Sequence, residues 1–564
     1  MKKKNLILYF YFAIFTSLSI NAGSNPKWMK KARQAQVSVI AYDDKGDMHE
    51  SQGVYVDEKG SVITEFDVMK GATKATIVDF SGKEHEVTSI CGANSMYNMV
   101  KLQLQLDPKE KIIFLEQAST EAQENEIVYI LPNVRADKSV PASLDTIKQN
   151  NKFKEQYNYY TLSHLANERQ SYSPVLNEKG LLLGLVQQPA TDGKNSFVID
   201  SHFGYDMRIT AIDAGNTDLK AININKDLPQ KEEEASSFIF LTGTQDTAAY
   251  LGYVDKFIKQ FPQSAQGYMM KAEMLVDKGD YETAEKTYND ALAQDSVKKD
   301  EIHFSWSKKI YNLNLNPSYQ AYNDWNLEKA LSEAESAYSV NPLPLYLNQQ
   351  GSCLYALKRY GEAYEKYYAV TKTNLRSPEL FIYAAQCKQM AQAPIEEVLA
   401  LQDSAVNCFT KPYPQSAANI LLIRGTTLGQ AGKYREAVAD YNEYEHLMGG
   451  QLTSNFYYER EQMEIKCRMY PAALNDIERA IRLSPNEPVL YAELAALNYR
   501  VNQIDDAIAA AQQAIKLDEK FPDAYRIIGV CLNQQGKTAE AKKQLQKAVE
   551  LGDTIAQGIL DKIK

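Results

Sequence analysis

The chain is 564 residues long, which is too long for one hydrophobic core and predicts two or more domains. Its hydrophobic content of 44% is typical of a folded protein. The formal net charge of −10 argues against nucleic acid as a main partner, because phosphate binding requires a positive surface.

Residues 1–22 have the layout of a secretory signal peptide. A basic end at Lys2, Lys3 and Lys4 precedes a short apolar run, and small residues then lead to a candidate cleavage point at Ala22. No later stretch approaches the ~20 apolar residues of a membrane-spanning helix. We therefore expect an exported protein of the periplasm or cell envelope that is not an integral membrane protein.

Residues 36–200 contain short alternating or apolar runs separated by turns, which is typical of an all-β barrel or sandwich. The clearest runs cover residues 37–42, 74–80, 100–104, 127–131 and 181–186. Gly60, Gly82 and Gly180 stand in turn-like contexts between strands.

Two segments of this region carry a family pattern. Gly53 to Val68 reads G-V-Y-V-D-E-K-G-S-V-I-T-E-F-D-V, and Arg169 to Pro174 reads R-Q-S-Y-S-P. They resemble the histidine and G-x-S-G-G-P motifs of trypsin-like serine proteases, with Asp67 in the place of the histidine. The resemblance implies a double β-barrel over residues 24–228, with Ser171 at the nucleophile position and Asn98 at that of the acidic triad member.

These departures predict a pseudoprotease in which no catalytic set is intact. A serine attacks only when a nearby base takes its proton, and Asp67 is a weak, short substitute for histidine. Arg169 replaces a glycine of the oxyanion hole, and Tyr172 and Ser173 are expected to crowd the turn that presents Ser171. The alternatives left open are His49 or His164 as an unusual base, and a Ser–Lys dyad with Lys101.

From about residue 230 onward, helical periodicity replaces the strand pattern. Small residues recur in one frame, and Ala473, Ala507 and Ala541 follow one another at intervals of 34 residues. The pattern resembles the tetratricopeptide repeat, in which two antiparallel helices touch closely where side chains are small. Glu461 departs from it, since a small residue is expected there.

The resemblance implies about eight repeats over residues 264–564 with a capping helix at the end, preceded by a helical hairpin or linker at 229–263. Weaker copies surround Ala330 and Val398, with an insertion near 312–325. The predicted fold class is therefore multidomain, an all-β trypsin-like double barrel followed by an all-α tetratricopeptide solenoid.

Tetratricopeptide arrays bind peptides or protein segments in a groove lined by the first helix of each repeat. The residues expected to face that groove are Met269, Met270, Asn348, Tyr355, Tyr458, Gln462, Arg500 and Asn533. The lysine and asparagine set that clamps a C-terminal carboxylate in the best-known members is not found, so no such clamp is inferred.

The six cysteines include no C-x-x-C pair and do not cluster with histidines, so the sequence predicts neither a metal nor a cofactor. The favoured function is a non-catalytic scaffold or adaptor whose partners are proteins or peptides. A serine endopeptidase acting through Ser171 and a repeat-based assembly factor of an envelope complex are the alternatives. The oligomeric state stays open.

Overall fold

The computed structural model describes residues 26–107, 109–132, 141–187, 193–243, 247–320, 322–450 and 452–563. The chain divides into two compact units, the first ending at Val297 and the second beginning at Lys298. The predicted signal peptide, residues 1–22, lies outside the described residues. Among the residues described, no helix is both long and apolar enough to cross a membrane.

Six antiparallel strands of the first unit form a closed barrel, barrel 1, with the order β1-β2-β3-β6-β5-β4. Its strands are β1 (Gln36–Tyr42), β2 (Met48–Tyr55), β3 (Ser61–Thr64), β4 (Lys74–Val78), β5 (Glu84–Asn94) and β6 (Met99–Leu104). The pairing of β1 with β4, with Val39 opposite Ile77, closes the barrel. Both side chains are fully buried, as expected for paired residues that share the inner face.

Six further strands form a second closed barrel, barrel 2, with the order β10-β11-β12-β9-β8-β7. Its strands are β7 (Ile127–Ile130), β8 (Ser143–Phe153), β9 (Tyr157–Leu162), β10 (Pro174–Leu176), β11 (Leu182–Val186) and β12 (Phe197–Asp200). The order repeats that of barrel 1, because in both barrels the first strand of the six pairs with the fourth. The predicted all-β double barrel is confirmed.

The predicted strand runs coincide with β1, β4, β6, β7 and β11. The predicted turn glycines Gly60, Gly82 and Gly180 all have positive φ, between 78° and 90°. A shared apolar core joins the two barrels, with Val54 and Ile63 from barrel 1 packing with Leu182 and Ile199 from barrel 2. Four short helices accompany the barrels: α1 (Met29–Gln34), α2 (Phe66–Met69), α3 (Ser201–Tyr205) and α4 (Thr217–Lys220).

Four longer helices complete the first unit: α5 (Glu232–Gly243), α6 (Thr247–Gln260), α7 (Ala265–Asp277) and α8 (Tyr281–Leu292). Phe238 of α5, Phe257 of α6 and Met270 of α7 belong to the same buried cluster as Val39 and Ile77 of barrel 1. The contact boundary at Val297 therefore falls later than the change from strands to helices near residue 228. The sequence-based boundaries mark that change of secondary structure, whereas the compact unit also includes helices that pack on barrel 1.

The second unit consists of helices, most of them in consecutive pairs. They are α9 (Lys299–Asn314), α10 (Leu327–Val340), α11 (Pro344–Ala356), α12 (Tyr360–Val370), α13 (Pro378–Met390), α14 (Ile395–Val406), α15 (Ala418–Gln430), α16 (Tyr434–Met448), α17 (Ser454–Lys466), α18 (Tyr470–Leu483), α19 (Pro488–Arg500), α20 (Ile504–Leu517), α21 (Pro522–Gln534), α22 (Thr538–Glu550) and α23 (Thr554–Leu560). In the described part of the chain, helices α7 to α22 form eight consecutive pairs, and α23 follows the last of them. The first of these pairs, α7 and α8, belongs to the first unit. This run of helices is consistent with the predicted solenoid.

Small residues on the first helix of a pair face large residues on the second. A Cβ added to Gly351 would lie 2.9 Å from the Tyr367 ring, and one added to Gly529 would lie 2.6 Å from Leu545 Cγ. The two residues of each such contact are 16 positions apart in the sequence. Glu461 and the buried Ile477 are separated by the same 16 positions. Glu461 thus takes the position of the small residue, and the α17–α18 hairpin forms nonetheless.

Candidate functional site

The loop that carries Ser171 is held by backbone hydrogen bonds. A 3-10 helix, Glu168–Gln170, leads into Ser171, and the chain then enters β10 at Pro174. The Tyr172 N–H donates to the Val186 carbonyl at 2.7 Å, which ties the loop to the end of β11. The Ser171 Oγ is buried and makes no hydrogen bond. The serine therefore has no hydrogen-bonded base within the part of the chain that the structure describes.

Asn98, at a predicted triad position, connects the segment that contains Asp67 to the loop that contains Ser171. Its Oδ1 accepts the Asp67 backbone N–H at 2.8 Å, and its carbonyl accepts the Phe66 N–H at 3.2 Å. The same carbonyl accepts the Tyr172 hydroxyl at 2.5 Å. The tertiary structure thus gathers the three predicted positions, but Asn98 holds the backbone at the start of α2 instead of orienting a base, and the Asp67 residue is exposed.

Tyr172 has a positive φ of 56° and a side chain that is almost fully buried between the barrels. Burial raises the pKa of its hydroxyl, and the nearby charges of Glu65 and Asp67 raise it further. We expected Tyr172 to tolerate the backbone twist poorly and to crowd Ser171. The structure instead accommodates it in the left-handed region, where the steric cost of about 1–2 kcal/mol is opposed by ring burial and a hydrogen bond.

Arg169 lies exposed within the 3-10 helix. Its carbonyl oxygen accepts a long hydrogen bond of 3.4 Å from Gln52 Nε2 of β2. The left-handed residue of this loop is Tyr172, two positions before Pro174, and not Arg169. The predicted oxyanion position is thus occupied by a residue whose carbonyl is hydrogen-bonded to the neighbouring barrel.

The alternative bases are engaged elsewhere or exposed. His164 Nδ1 lies 2.9 Å from Asp145 Oδ1, and His49 is exposed on β2. Lys101 Nζ donates to the Tyr205 carbonyl at 2.7 Å. Since the Ser171 Oγ has no hydrogen-bond partner, the structure brings none of these groups into hydrogen-bond contact with it.

A histidine–carboxylate pair that sequence reasoning missed lies in barrel 2. His202 Nδ1 is 2.9 Å from Asp200 Oδ1, and this hydrogen bond raises the pKa of His202. The pair lines a cavity of about 390 Å³ together with Tyr157 and Asn158. Asp200 also caps α3 by accepting the His202 N–H, and an aspartate two residues before a histidine was the available signal.

The eight residues expected to line a groove have different environments. Met269, Asn348, Tyr355, Tyr458 and Gln462 are half-buried, Arg500 and Asn533 are exposed, and Met270 is buried. Met270 is corrected to a core residue, because α7 packs against the cluster that begins in barrel 1. The Asn348 Oδ1 is buried without a hydrogen-bond partner.

Tyr458, Gln462 and Arg500 belong to a polar face on α17 and α19 that also contains Glu461 and Glu493, which sequence reasoning did not assign to it. Gln462 Nε2 donates to Glu461 Oε2 at 2.7 Å. Burial raises the pKa of Glu493, while a hydrogen bond from Gln462 lowers it. Burial also raises the pKa of Tyr458, and the charges of Glu493 and Glu461 add to the shift. We call these five residues the α17–α19 face.

The hairpin beneath this face is held by buried charge pairs. Arg460 binds Asp476 with two hydrogen bonds, Nε–Oδ2 at 2.6 Å and Nη2–Oδ1 at 2.9 Å. Arg424 binds Asp440 in the same way in the preceding pair, with two bonds of 2.7 Å. Each pair joins the first helix of a hairpin to the second, and the repeated spacing of 16 residues was a sequence signal for it.

The comparisons with known proteins match the helical pattern. The family model of the tetratricopeptide repeat matches residues 251–297 and 492–554. A small glutamine-rich tetratricopeptide repeat-containing protein 2 of Mycosarcoma maydis is 42% identical over 82 residues, which are 14% of this chain and 23% of that protein. Its Saccharomyces cerevisiae namesake is 29% identical over 91 residues, 16% of this chain and 26% of that one. The chain thus spans about a quarter of the length of these relatives.

Among solved structures, the active form of the Rv3671c protease from M. tuberculosis is similar with a TM-score of 0.28 and 16% identity. The similarity covers 32% of this chain and 82% of that one. A serine endoprotease from Yersinia pestis gives 0.27 and 16%, covering 33% and 70% of the two chains. MamA gives 0.27 and 21%, covering 31% and 96%.

Proposed function

We propose that this chain is an exported, non-catalytic scaffold that binds proteins or peptides through the first helices of its repeats. The observation that carries the loss of catalysis is the buried Ser171 Oγ without a hydrogen-bond partner. An unassisted serine hydroxyl is a poor nucleophile at neutral pH, and losing the base and its orienting group together costs on the order of 10⁶ in rate.

The residues around Ser171 support the same proposal. Tyr172 fills the space between the barrels and bonds to the Asn98 carbonyl, while Asn98 Oδ1 is occupied by the Asp67 backbone. A catalytic set would require a base aimed at Ser171 and a carboxylate behind that base. The chain uses these positions to join the two barrels and to hold α2.

Binding is assigned to the helical part because the tetratricopeptide match lies there. Half-buried aromatic and amide side chains are suited to recognition, since they offer apolar area and hydrogen bonds together. Tyr458 and Gln462 provide both on the α17–α19 face, with Glu493 and Arg500 adding charge. Export to the periplasm or cell envelope is proposed from residues 1–22.

Catalysis is tested with a fluorophosphonate probe on the full chain. We expect no labelling of the wild type, with a mature trypsin-like protease labelled in parallel to show that the probe is active. Labelling of the wild type that disappears in Ser171→Ala would establish the endopeptidase alternative instead. The Ser171→Ala variant should be as stable as the wild type or up to about 1 kcal/mol more stable, because it removes an unsatisfied buried hydroxyl.

Partner binding is tested by site-specific photocrosslinking in the full chain. A benzophenone amino acid at Tyr458 should capture a protein from the cell envelope, and Glu493→Lys should abolish the capture. The same photoprobe at Gln512, exposed on the second helix α20, is the matched control. Equal capture from both positions would contradict the assignment of the face.

A third photoprobe position separates the scaffold from the assembly-factor alternative. Arg169 is exposed on the Ser171 loop, so a probe there reports a partner that contacts the barrels. Capture from both Arg169 and Tyr458 indicates that both parts bind. Capture from Tyr458 alone indicates that the repeats carry the function and that the barrels do not take part.

A further inference from the structure

Two buried polar atoms without hydrogen-bond partners lie close together at one end of barrel 1. They are His85 Nε2 and Glu110 Oε2. Buried polar groups normally have a partner, and leaving one without costs about 1–3 kcal/mol. A ligand bound between these two atoms would satisfy both.

His85 is built into the barrel wall. It lies on β5 directly opposite Ile77 of β4, which is fully buried, so the imidazole shares the inner face of the sheet. Only 2% of its side chain is exposed. Its Nε2 lies 3.5 Å from Asp79 Oδ2 and 3.7 Å from Glu110 Oε1.

Asp79 is held as an anion by the β4–β5 turn. Its Oδ1 accepts the Ser81 N–H at 2.8 Å, the Ser81 hydroxyl at 2.7 Å and the Lys83 N–H at 2.9 Å. All three bonds go to Oδ1, so Oδ2 stays directed at His85.

Glu110 provides the third group. Its Oε1 pairs with the ammonium of Lys83 at 2.7 Å, whereas its Oε2 has no hydrogen-bond partner. Oε1 can therefore stay paired with Lys83 while Oε2 binds a ligand.

We propose that Asp79, His85 and Glu110 bind a divalent metal ion, with Zn²⁺ the best fit. Their candidate ligand atoms all lie within 4.8 Å of one another. Tetrahedral Zn²⁺ with bonds near 2.1 Å places neighbouring ligand atoms about 3.4 Å apart, close to the 3.5 Å that separates His85 Nε2 from Asp79 Oδ2. A water would complete the coordination.

The ligand types favour a transition metal over Ca²⁺ or Mg²⁺. An imidazole nitrogen with two carboxylates suits Zn²⁺, while Ca²⁺ and Mg²⁺ prefer sites made only of oxygen atoms. The ion would connect the β4–β5 turn to the segment after β6, so its role is structural. The sequence-based expectation of no metal considered histidine and cysteine spacing alone, and here two of the three ligands are carboxylates.

The test is zinc binding by the full chain after chelator treatment. Calorimetry with a competing chelator and elemental analysis should give one Zn²⁺ per chain, and zinc should raise the melting temperature of the first unit. Substitution of cobalt(II) should give the intense visible absorption of a tetrahedral site. Ca²⁺ at the same concentration should cause neither change.

Two variants and one control connect the binding to these residues. His85→Gln and Glu110→Gln should each weaken zinc binding at least tenfold and remove the cobalt absorption. His202→Gln, which removes a carboxylate-paired histidine of barrel 2, should leave both unchanged. If His85→Gln does not fold, Glu110→Gln carries the test, since its side chain is partly exposed.

Two different outcomes would contradict the proposed zinc site. Failure to bind one equivalent of zinc would overturn the site and leave His85 as a buried histidine packed beside two carboxylates. Zinc binding that is unaffected by both variants would show an adventitious ion and would overturn it equally.

Discussion

Tyr172 and Asn98 show how single residues join the two barrels. The Tyr172 hydroxyl donates to the Asn98 carbonyl, and the Asn98 side chain accepts from the Asp67 backbone. Asn98 thus makes structural hydrogen bonds with both its Oδ1 and its carbonyl oxygen, whereas the buried Ser171 hydroxyl has none.

The Tyr172→Phe substitution tests this joint. It removes the buried hydroxyl and leaves the Asn98 carbonyl with the Phe66 N–H as its partner, so we expect a loss of about 1 kcal/mol in the free energy of unfolding of the first unit. Tyr205→Phe, at an exposed tyrosine, is the control and should change stability little. Chemical denaturation followed by tyrosine and tryptophan fluorescence measures both. Equal stability of the two variants would show that the hydroxyl contributes nothing.

We expect Glu461 to make the stability of the second unit depend on pH. Burial, aided by the charge of Glu493, raises its pKa to about 8 from an ordinary value of 4.5. Because the folded state holds this proton more tightly than the unfolded state, the stabilisation is complete below pH 4.5 and is lost as the pH rises through 8. Glu464, with a pKa raised to about 7 mainly by burial, acts in the same direction.

We therefore expect Glu461→Gln to weaken the pH dependence of the second unit. The variant has no carboxyl to ionise, so its stability relative to the wild type should rise by on the order of 2 kcal/mol between pH 5 and pH 9. Scanning calorimetry across this range measures the effect. Glu478→Gln on the exposed surface of α18 is the control. Parallel pH profiles for the wild type and Glu461→Gln would contradict the prediction.

At the scale of the element, the helical hairpins depend on close contact between their two helices. Gly529 on α21 faces Leu545 on α22, and an added Cβ would also lie 3.2 Å from the Ala541 carbonyl oxygen. Gly351 and Gly425 face Tyr367 and Tyr441 in earlier hairpins. The two helices of a hairpin can therefore approach this closely only because the residue at the contact is small.

Gly529→Ala should lower the stability of the second unit by about 1–3 kcal/mol, because the methyl group overlaps Leu545. Gly558→Ala on α23 is the matched control, since an added Cβ there meets no atom within 4 Å. The control should gain up to about 1 kcal/mol from better helix propensity. Opposite shifts in melting temperature are the expected result, and a shift of the same sign in both would reject close packing as the cause.

At the scale of the molecule, the first unit is larger than its two barrels. The buried cluster of barrel 1 continues into Phe238, Phe257 and Met270, which belong to three helices after residue 228. A cut at that residue removes these side chains from the barrel surface and exposes the apolar positions they cover. The match to the tetratricopeptide model begins at residue 251, so the first matched segment lies in the first unit.

A fragment of residues 24–297 should therefore fold, whereas one of residues 24–228 should aggregate or expose apolar surface. Size-exclusion chromatography and binding of a hydrophobic dye measure the difference. A monomeric, dye-negative 24–228 fragment would show that barrel 1 is complete without the helices.

Local sequence patterns were enough to predict the classes of structure, the order in which they occur and several of their boundaries. Strand runs, turn glycines such as Gly82 and the 34-residue spacing of alanines depend on neighbours close along the chain, so they can be read from local patterns. The residues at the three predicted triad positions, including Asp67, could also be identified from the sequence, because the motifs that contain them are contiguous.

Which distant residues meet could not be predicted from local patterns. Met270 has the pattern of a repeat residue but enters the core of barrel 1, and Tyr172 is tolerated in the left-handed region because a buried site receives its ring. Asp79, His85 and Glu110 come from a turn, a strand and a connecting segment, and no spacing rule joins them. Such contacts depend on how the whole chain packs, since apolar burial and hydrogen bonding are summed over residues far apart in sequence.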